Sequence, residues 1–277
     1  MLVRLTGAAM RAAMVAVAIA TPSLLLNGSA VGTPDIVAFV AIIAAILTFT
    51  EYNTNFPTIL EFRDAPPLNR LRFLAFFGTI FALTLLAKDP ITPTGMTAHA
   101  TQIAAQMGAM LDFPYSPVRL LVLMLPTDAP PELALALRAN AATAYAICLA
   151  TIALFLLAVR VRGWPTGRGS FNVWTNMPLF DPTTGGDVVE RLYRDARVNI
   201  ILGVLLPFII PAAIKLASAM IDPLMLANPH TMIWTVSAWA FLPASLIMRG
   251  IALARIADLI EAKRRRTYAG ERPLQTA

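Results

Sequence analysis

The stretch 139–159, ANAATAYAICLATIALFLLAV, decides the fold class of this chain. It contains no charged residue, and Arg138 and Arg160 flank it directly. At a rise of about 1.5 Å per residue, a helix of this length crosses the roughly 30 Å of hydrocarbon in a bilayer. The stretch therefore predicts a transmembrane helix.

Five further apolar stretches extend this pattern, at 12–26, 36–50, 73–87, 200–221 and 232–251. The second and third are short, about 22 Å each as helices. They span only if Glu51, Arg72 and Lys88 reach the headgroups or the bilayer thins locally. The whole chain is 57% apolar and 14% charged, against roughly 25% charged in a soluble domain. We therefore expect one all-α, polytopic membrane domain with six transmembrane helices and interfacial helical segments.

The basic residues predict the side of the membrane on which each connection lies. Of 22 lysines and arginines, 18 fall in alternate connections and four fall in the others. Basic residues beside a span are retained in the cytoplasm. The partition predicts an inner (plasma) membrane protein with both termini cytoplasmic. It has cytoplasmic loops at 51–72 and 160–199, a periplasmic connection at 88–138 and a basic cytoplasmic tail at 252–277.

The first apolar stretch also fits a secretory signal peptide. Arg4 and Arg11 precede it, and Gly28-Ser29-Ala30 follows it as a small-residue cleavage site would. Cleavage would leave five spans and an N-terminus outside. We favour retention as the first span, and N-terminal sequencing of the mature protein separates the two.

The periplasmic connection contains two segments with helical or apolar character. Residues 98–111 have a helical composition, and residues 118–125 are apolar. Because about eight residues cannot cross the bilayer, 118–125 is interpreted as an interfacial or re-entrant segment.

The two cytoplasmic loops share a short echo. Thr-Asn-Phe-Pro at 54–57 precedes one Arg-Asp-Ala, and Thr-Asn-Met-Pro at 175–178 precedes another. The echo is either a repeat that relates the second and third spans to the fourth and fifth, or a chance match. We expect the two Arg-Asp pairs to lie close together. The predicted partner-docking residues are Arg63, Asp64, Asn69, Trp164, Trp174, Arg194, Asp195 and Asn199.

The sequence contains no motif that indicates catalytic residues. No Asp, Glu or His lies inside a predicted span, which argues against a proton-coupled carrier. His99 and His230 lack the close spacing of a metal site, and nucleophile and phosphate-loop motifs are absent, so we expect no cofactor or metal. Acidic residues gather beside arginines in the cytoplasmic loops, where exposed ion pairs are the commoner explanation. They are Glu51, Glu61, Asp64, Asp181, Asp187, Glu190 and Asp195.

The net charge of +6 indicates lipid rather than nucleic acid, because the basic residues lie beside the spans. Residues 251–263, which follow Gly250, contain no Gly or Pro. The last span is therefore expected to continue as a helix beyond the membrane. Its basic cluster either only orients the span or also docks a partner. The predicted headgroup ligands are Arg255, Lys263, Arg264, Arg265 and Arg266.

These features favour a non-catalytic membrane protein that serves as a subunit, assembly factor or docking factor of a larger membrane complex. Its expected partners are other membrane-protein subunits and lipids. The alternative is a small-solute or lipid transporter built around the fifth and sixth spans, which Pro207, Pro211 and Pro243 are expected to kink. An embedded enzyme that uses the cytoplasmic carboxylates is the third interpretation.

Overall fold

The computed structural model describes residues 2–26, 34–165, 171–181, 185–218, 220 and 222–271. Within those ranges the chain is helical and contains no strand, which confirms the all-α class. Six helices are long and apolar enough to cross a membrane, as predicted for a multi-pass protein. The helices are α1 (Leu2–Leu25), α2 (Pro34–Asn53), α3 (Leu68–Lys88), α4 (Gly95–Leu111), α5 (Pro117–Leu123), α6 (Pro131–Val161), α7 (Val173–Asn176), α8 (Val188–Leu216) and α9 (Pro229–Glu271), with a 3₁₀ helix at Pro223–Ala227.

The candidate spans are α1, α2, α3, α6, α8 and α9, and most of them run longer than the apolar stretches. Because α2 and α3 have 20 and 21 residues, each reaches about 30 Å and neither needs a thinned bilayer. The fifth span differs at both ends. α8 begins at Val188, so part of the predicted loop 160–199 is helix, and it stops at Leu216 rather than at 221.

The two halves of the connection 88–138 pack onto the bundle. α4 packs against α6, with Gly108 close to the backbone of Ala139. α5 contacts both α6 and α8, and its Val118 and Leu121 are buried. One face of the segment 118–125 therefore packs against the bundle, while Leu123 on its other side is 58% exposed.

α8 and α9 form a long antiparallel hairpin. A Cβ added at Gly203 would lie 2.7 Å from the carbonyl oxygen of Pro243, and one added at Gly250 would lie 2.7 Å from that of Ala196. The absence of a side chain at these two glycines lets the helix backbones approach closely, as small residues do in membrane helix pairs. α9 continues unbroken through 251–263, as the sequence predicted.

One end of the bundle, here called the Arg-rich end, carries the start of α1, the first connection (54–67) and the described parts of the second connection (162–165, 171–181 and 185–187). The N-terminal part of α1 lies there because Arg4 Nη1 donates to Asn55 Oδ1 at 2.6 Å. The guanidinium of Arg11 also stacks over the ring of Tyr52, 4.7 Å from its centroid. The opposite end carries α4, α5 and the 3₁₀ helix.

Candidate functional site

The two connections at the Arg-rich end fold together with the second half of α9 around one apolar core. We call this assembly the platform; it comprises residues 54–67, 162–165, 171–181, 185–199 and 249–264. Its core side chains come from all of these segments and from the adjoining turns of α3 and α6, and are almost fully buried. They include Phe62, Leu68, Phe155, Trp164, Met177, Leu192, Leu253 and Ile256.

Asn176 joins the two connections. Its carbonyl oxygen accepts the N–H of Phe62 at 2.7 Å, and its Oδ1 accepts the N–H of Asp64 at 2.9 Å. Phe62 is fully buried and has a φ of 56°, a conformation that is uncommon for a residue with a side chain. Such a backbone persists only where surrounding contacts hold it, and here Asn176 supplies them.

Trp164 forms the second brace. α6 ends at Val161 with Arg162 as its cap, and Gly163, with a φ of 61°, turns the chain so that Trp164 enters the core. Its indole Nε1 donates to the carbonyl of Ala65 at 3.0 Å, and its ring packs 5.2 Å from that of Phe155. The Nε of Arg255 donates to the Trp164 carbonyl at 3.1 Å, so this predicted headgroup ligand also braces the platform.

A buried ion pair ties the first connection to α9. Glu61 is 6% exposed, and its two carboxylate oxygens accept from Arg249 Nε at 2.6 Å and Nη2 at 2.7 Å. Asn69 Nδ2 donates to the Glu61 carbonyl at 2.8 Å. The expectation that this acid belongs to an exposed surface pair was wrong, because the connection folds back into the bundle and carries Glu61 with it.

Arg72 lies beside this pair. Its Nη2 donates to the carbonyl of Ser245 in α9 at 3.2 Å, while its buried Nε has no partner among the described residues. Arg72 thus points inward to α9 instead of reaching outward. Nothing in the sequence groups Glu61 with Arg249 and Arg72, because Glu61 and Arg249 are 188 residues apart.

Four of the predicted docking residues hold the fold itself. Arg63 is nearly buried and donates to the carbonyls of Glu51 at 3.0 Å and Thr54 at 2.7 Å. Asn199 is buried and donates to the Asp195 carbonyl within its own helix. Asn69 and Trp164 make the contacts given above. Trp174 belongs to α7, but its side chain lies outside the described residues.

The other predicted docking residues face outward. The side chains of Arg194 and Asp195 are 71% and 42% exposed and lie 3.8 Å apart, and Asp64 pairs with its neighbour Arg63 at 3.4 Å. No hydrogen bond or ion pair in the described ranges joins one Arg-Asp pair to the other. The asparagines of the two Thr-Asn motifs instead connect separate segments. Asn55 accepts a hydrogen bond from Arg4 in α1, and Asn176 accepts one from the first connection.

The basic cluster of α9 is partly used inside the hairpin. Arg264 Nη1 donates to both carboxylate oxygens of Asp187, at 2.8 and 3.0 Å, and Arg265 pairs with Glu261. The hydrogen bond that Asp187 accepts from the N–H of Val189, followed by that from Arg264, lowers the pKa of its carboxyl. Arg264 and Arg265, which the sequence predicts as headgroup ligands, thus each have a carboxylate partner, Arg264 at the start of α8 and Arg265 within α9.

The polar groups of the platform are arranged to join segments. Arg249 binds both oxygens of Glu61, so that carboxylate joins the first connection to α9. Among the described side chains of the two connections, three apolar ones are exposed, namely Phe56, Ile59 and Leu179, at 72%, 66% and 65% exposure. Comparison with protein-family models, curated proteins and solved structures found no match for this chain.

Proposed function

We infer that the protein is a non-catalytic membrane protein that docks onto another membrane protein, as a subunit or assembly factor of a larger complex. The platform is its docking surface and faces the cytoplasm of an inner-membrane protein with both termini inside. The partition of basic residues, 18 against four, supports that orientation.

The observation that carries the proposal is a surface that is braced by hydrogen bonds and an ion pair and exposes apolar side chains. Asn176, Trp164 and the Glu61–Arg249 pair fasten three segments that are distant in sequence. Phe56, Ile59 and Leu179 project from this surface into solvent or the membrane interface. A preordered surface loses little conformational entropy when a partner binds, and exposed apolar groups supply the binding free energy.

The geometry of α8 and α9 favours docking over the transporter alternative. Pro211 has no N–H, so the carbonyl of Pro207 lacks its helical partner, and Trp239 Nε1 donates to it at 3.1 Å. Gly203 packs against Pro243, the proline of the facing helix. At the level of Gly203 and Pro207 the prolines thus serve the close contact between the two helices, whereas a substrate path there would need space.

Site-specific photo-cross-linking in living cells tests the proposal. A photoreactive amino acid replaces Ile59, Leu179 or Arg194 on the platform, and Tyr115, which is 86% exposed at the opposite end, is the matched control. We expect protein adducts of one discrete mass from the platform positions and none of that mass from the control. Adducts to lipid alone, or the same adducts from Tyr115, would contradict docking through this surface.

A further inference from the structure

We propose that a crevice between the first connection and the end of α6 binds the phosphate of an anionic phospholipid headgroup. The crevice has a volume of about 270 Å³, and its walls include Arg70, Arg162, Asp64, Pro66, Pro67 and Trp164. This volume is about nine times the share of one water molecule in the liquid, at roughly 30 Å³ each. This volume is sufficient for a phosphate with its glycerol. The inference goes beyond docking and needs no protein partner.

The charges of the crevice match a phosphate. Arg70 and Arg162 are both exposed, and neither side chain makes a hydrogen bond or an ion pair within the described part of the chain. Among the described wall residues Asp64 is the one acid, and it already lies 3.4 Å from Arg63 Nε. Two guanidinium groups remain for an incoming anion. Arginine suits this role, because its planar fork binds phosphate oxygens in pairs.

The walls are held in place before any ligand arrives. Trp164 is fixed by its hydrogen bond to the Ala65 carbonyl, by its ring contacts with Phe62 and Phe155 at 5.7 and 5.2 Å, and by Arg255. The same core thereby holds the backbone near Arg162. A site whose backbone is already ordered keeps more of its electrostatic binding free energy.

The position along the spans indicates a lipid as the source of the phosphate. Arg70 lies in the first turn of α3, and Arg162 caps the end of α6. Both helices are candidate spans, so these two arginines lie where apolar helices leave the hydrocarbon and headgroup phosphates are concentrated. Positive charge beside a span also serves orientation. Arg70 and Arg162 in addition line one concave site together.

Native mass spectrometry of the full chain in detergent tests the assignment. Dioleoyl-phosphatidylglycerol is titrated against dioleoyl-phosphatidylcholine, and bound lipids are counted for the wild type and for the double variant Arg70→Gln/Arg162→Gln. We expect one phosphatidylglycerol to bind preferentially and its affinity to fall roughly fivefold for each arginine removed. Arg70→Lys/Arg162→Lys should retain part of the preference, because charge remains while the paired hydrogen bonds are lost.

The control is Arg160→Gln/Arg197→Gln, which removes two other exposed arginines at the same end. It should leave the single preferred lipid bound, and an equal loss in this control would overturn the crevice in favour of general surface charge. Inorganic phosphate at millimolar concentration is the second arm. Displacement of the lipid by phosphate would support recognition of the phosphate group, whereas binding of phosphate with no preference for phosphatidylglycerol would overturn the assignment of the site to a lipid. A circular-dichroism melt like that of the wild type shows that each variant is folded.

Discussion

Glu61 illustrates how single residues hold this molecule together. It belongs to a connection, yet its side chain is 6% exposed and meets Arg249 in a paired hydrogen bond. A buried ion pair gains little over apolar packing, since desolvation offsets the attraction, but removal of one member leaves an uncompensated charge. The pair therefore specifies where the first connection lies against α9 more than it adds stability.

Glu61→Gln is the direct test at this scale. The substitution preserves shape and removes the charge, so Arg249 stays partly buried without its counter-ion. Breaking a buried pair costs roughly 3–5 kcal/mol, and we expect the lower part of that range because Arg249 is 28% exposed. Thermal unfolding in detergent micelles measures the change. Glu190→Gln, at an exposed position of α8, is the matched control and should shift the midpoint little; equal shifts in both variants would show that the pair has no special role.

The backbones of α8 and α9 approach each other closely at Gly203 and Gly250. Beyond their apolar parts, polar side chains also join the two helices. Tyr193 donates to Asp258 at 2.6 Å, and Arg264 donates to Asp187 at 2.8 Å. Within the spans, Trp239 binds the Pro207 carbonyl and the two glycines bring the backbones together. The continuous α9 thus carries the platform as an extension of a membrane helix.

Gly203→Ala should destabilise this hairpin. The new Cβ would lie 2.5 Å from Ile247 Cγ1 and 2.7 Å from the Pro243 carbonyl, and a backbone atom cannot rotate away. Overpacking of this kind costs about 1–3 kcal/mol, more than the helix propensity of alanine returns. Gly78→Ala in α3 is the control, because its Cβ would meet only Ile147 Cγ2 at 3.9 Å. We expect a lower unfolding midpoint for the first variant and an unchanged or higher one for the second, and the reverse order would refute the close contact.

At the scale of the whole molecule, the two ends of the bundle differ in character. The Arg-rich end gathers the start of α1, the platform and the end of α9. The opposite end is closed by α4, α5 and the 3₁₀ helix, where Lys215 Nζ donates to the Leu125 carbonyl at 2.9 Å. α2 packs against α1 and leaves Phe39 and Ile46 exposed at the outside of the bundle, as suits a helix surrounded by lipid.

The orientation of the whole chain is tested by cysteine labelling in intact cells. Gly185→Cys lies in the second connection at the Arg-rich end, and Tyr115→Cys lies at the opposite end; both positions are exposed. We expect an impermeant maleimide to label Tyr115→Cys in intact cells and Gly185→Cys only after permeabilisation, because basic connections are retained inside. The native Cys148 is 2% exposed and should stay unlabelled, which makes the wild type the control. Labelling of Gly185→Cys in intact cells would invert the predicted topology.

The six spans and the continuity of α9 could be predicted from the sequence because both depend on local properties. A membrane helix satisfies its own backbone hydrogen bonds within one segment, so length and apolar composition are enough to find it. Residues 139–159 predicted α6 in this way, and the absence of Gly and Pro from 251–263 predicted the unbroken helix. The helix ends were less predictable, since charged turns such as the start of α8 extend beyond the apolar stretch.

Only the tertiary structure decided which residues of the connections meet. Glu61 with Arg249, Asn176 with Phe62 and Asp64, and Trp164 with Ala65 join positions separated by about a hundred residues or more. The sequence singled out Arg63, Asn69 and Asn199 as docking residues, whereas the structure uses their side chains inside the fold. The physical reason is that hydropathy is a property of one segment. A hydrogen bond or an ion pair depends instead on where two distant segments are brought together by packing of the whole bundle.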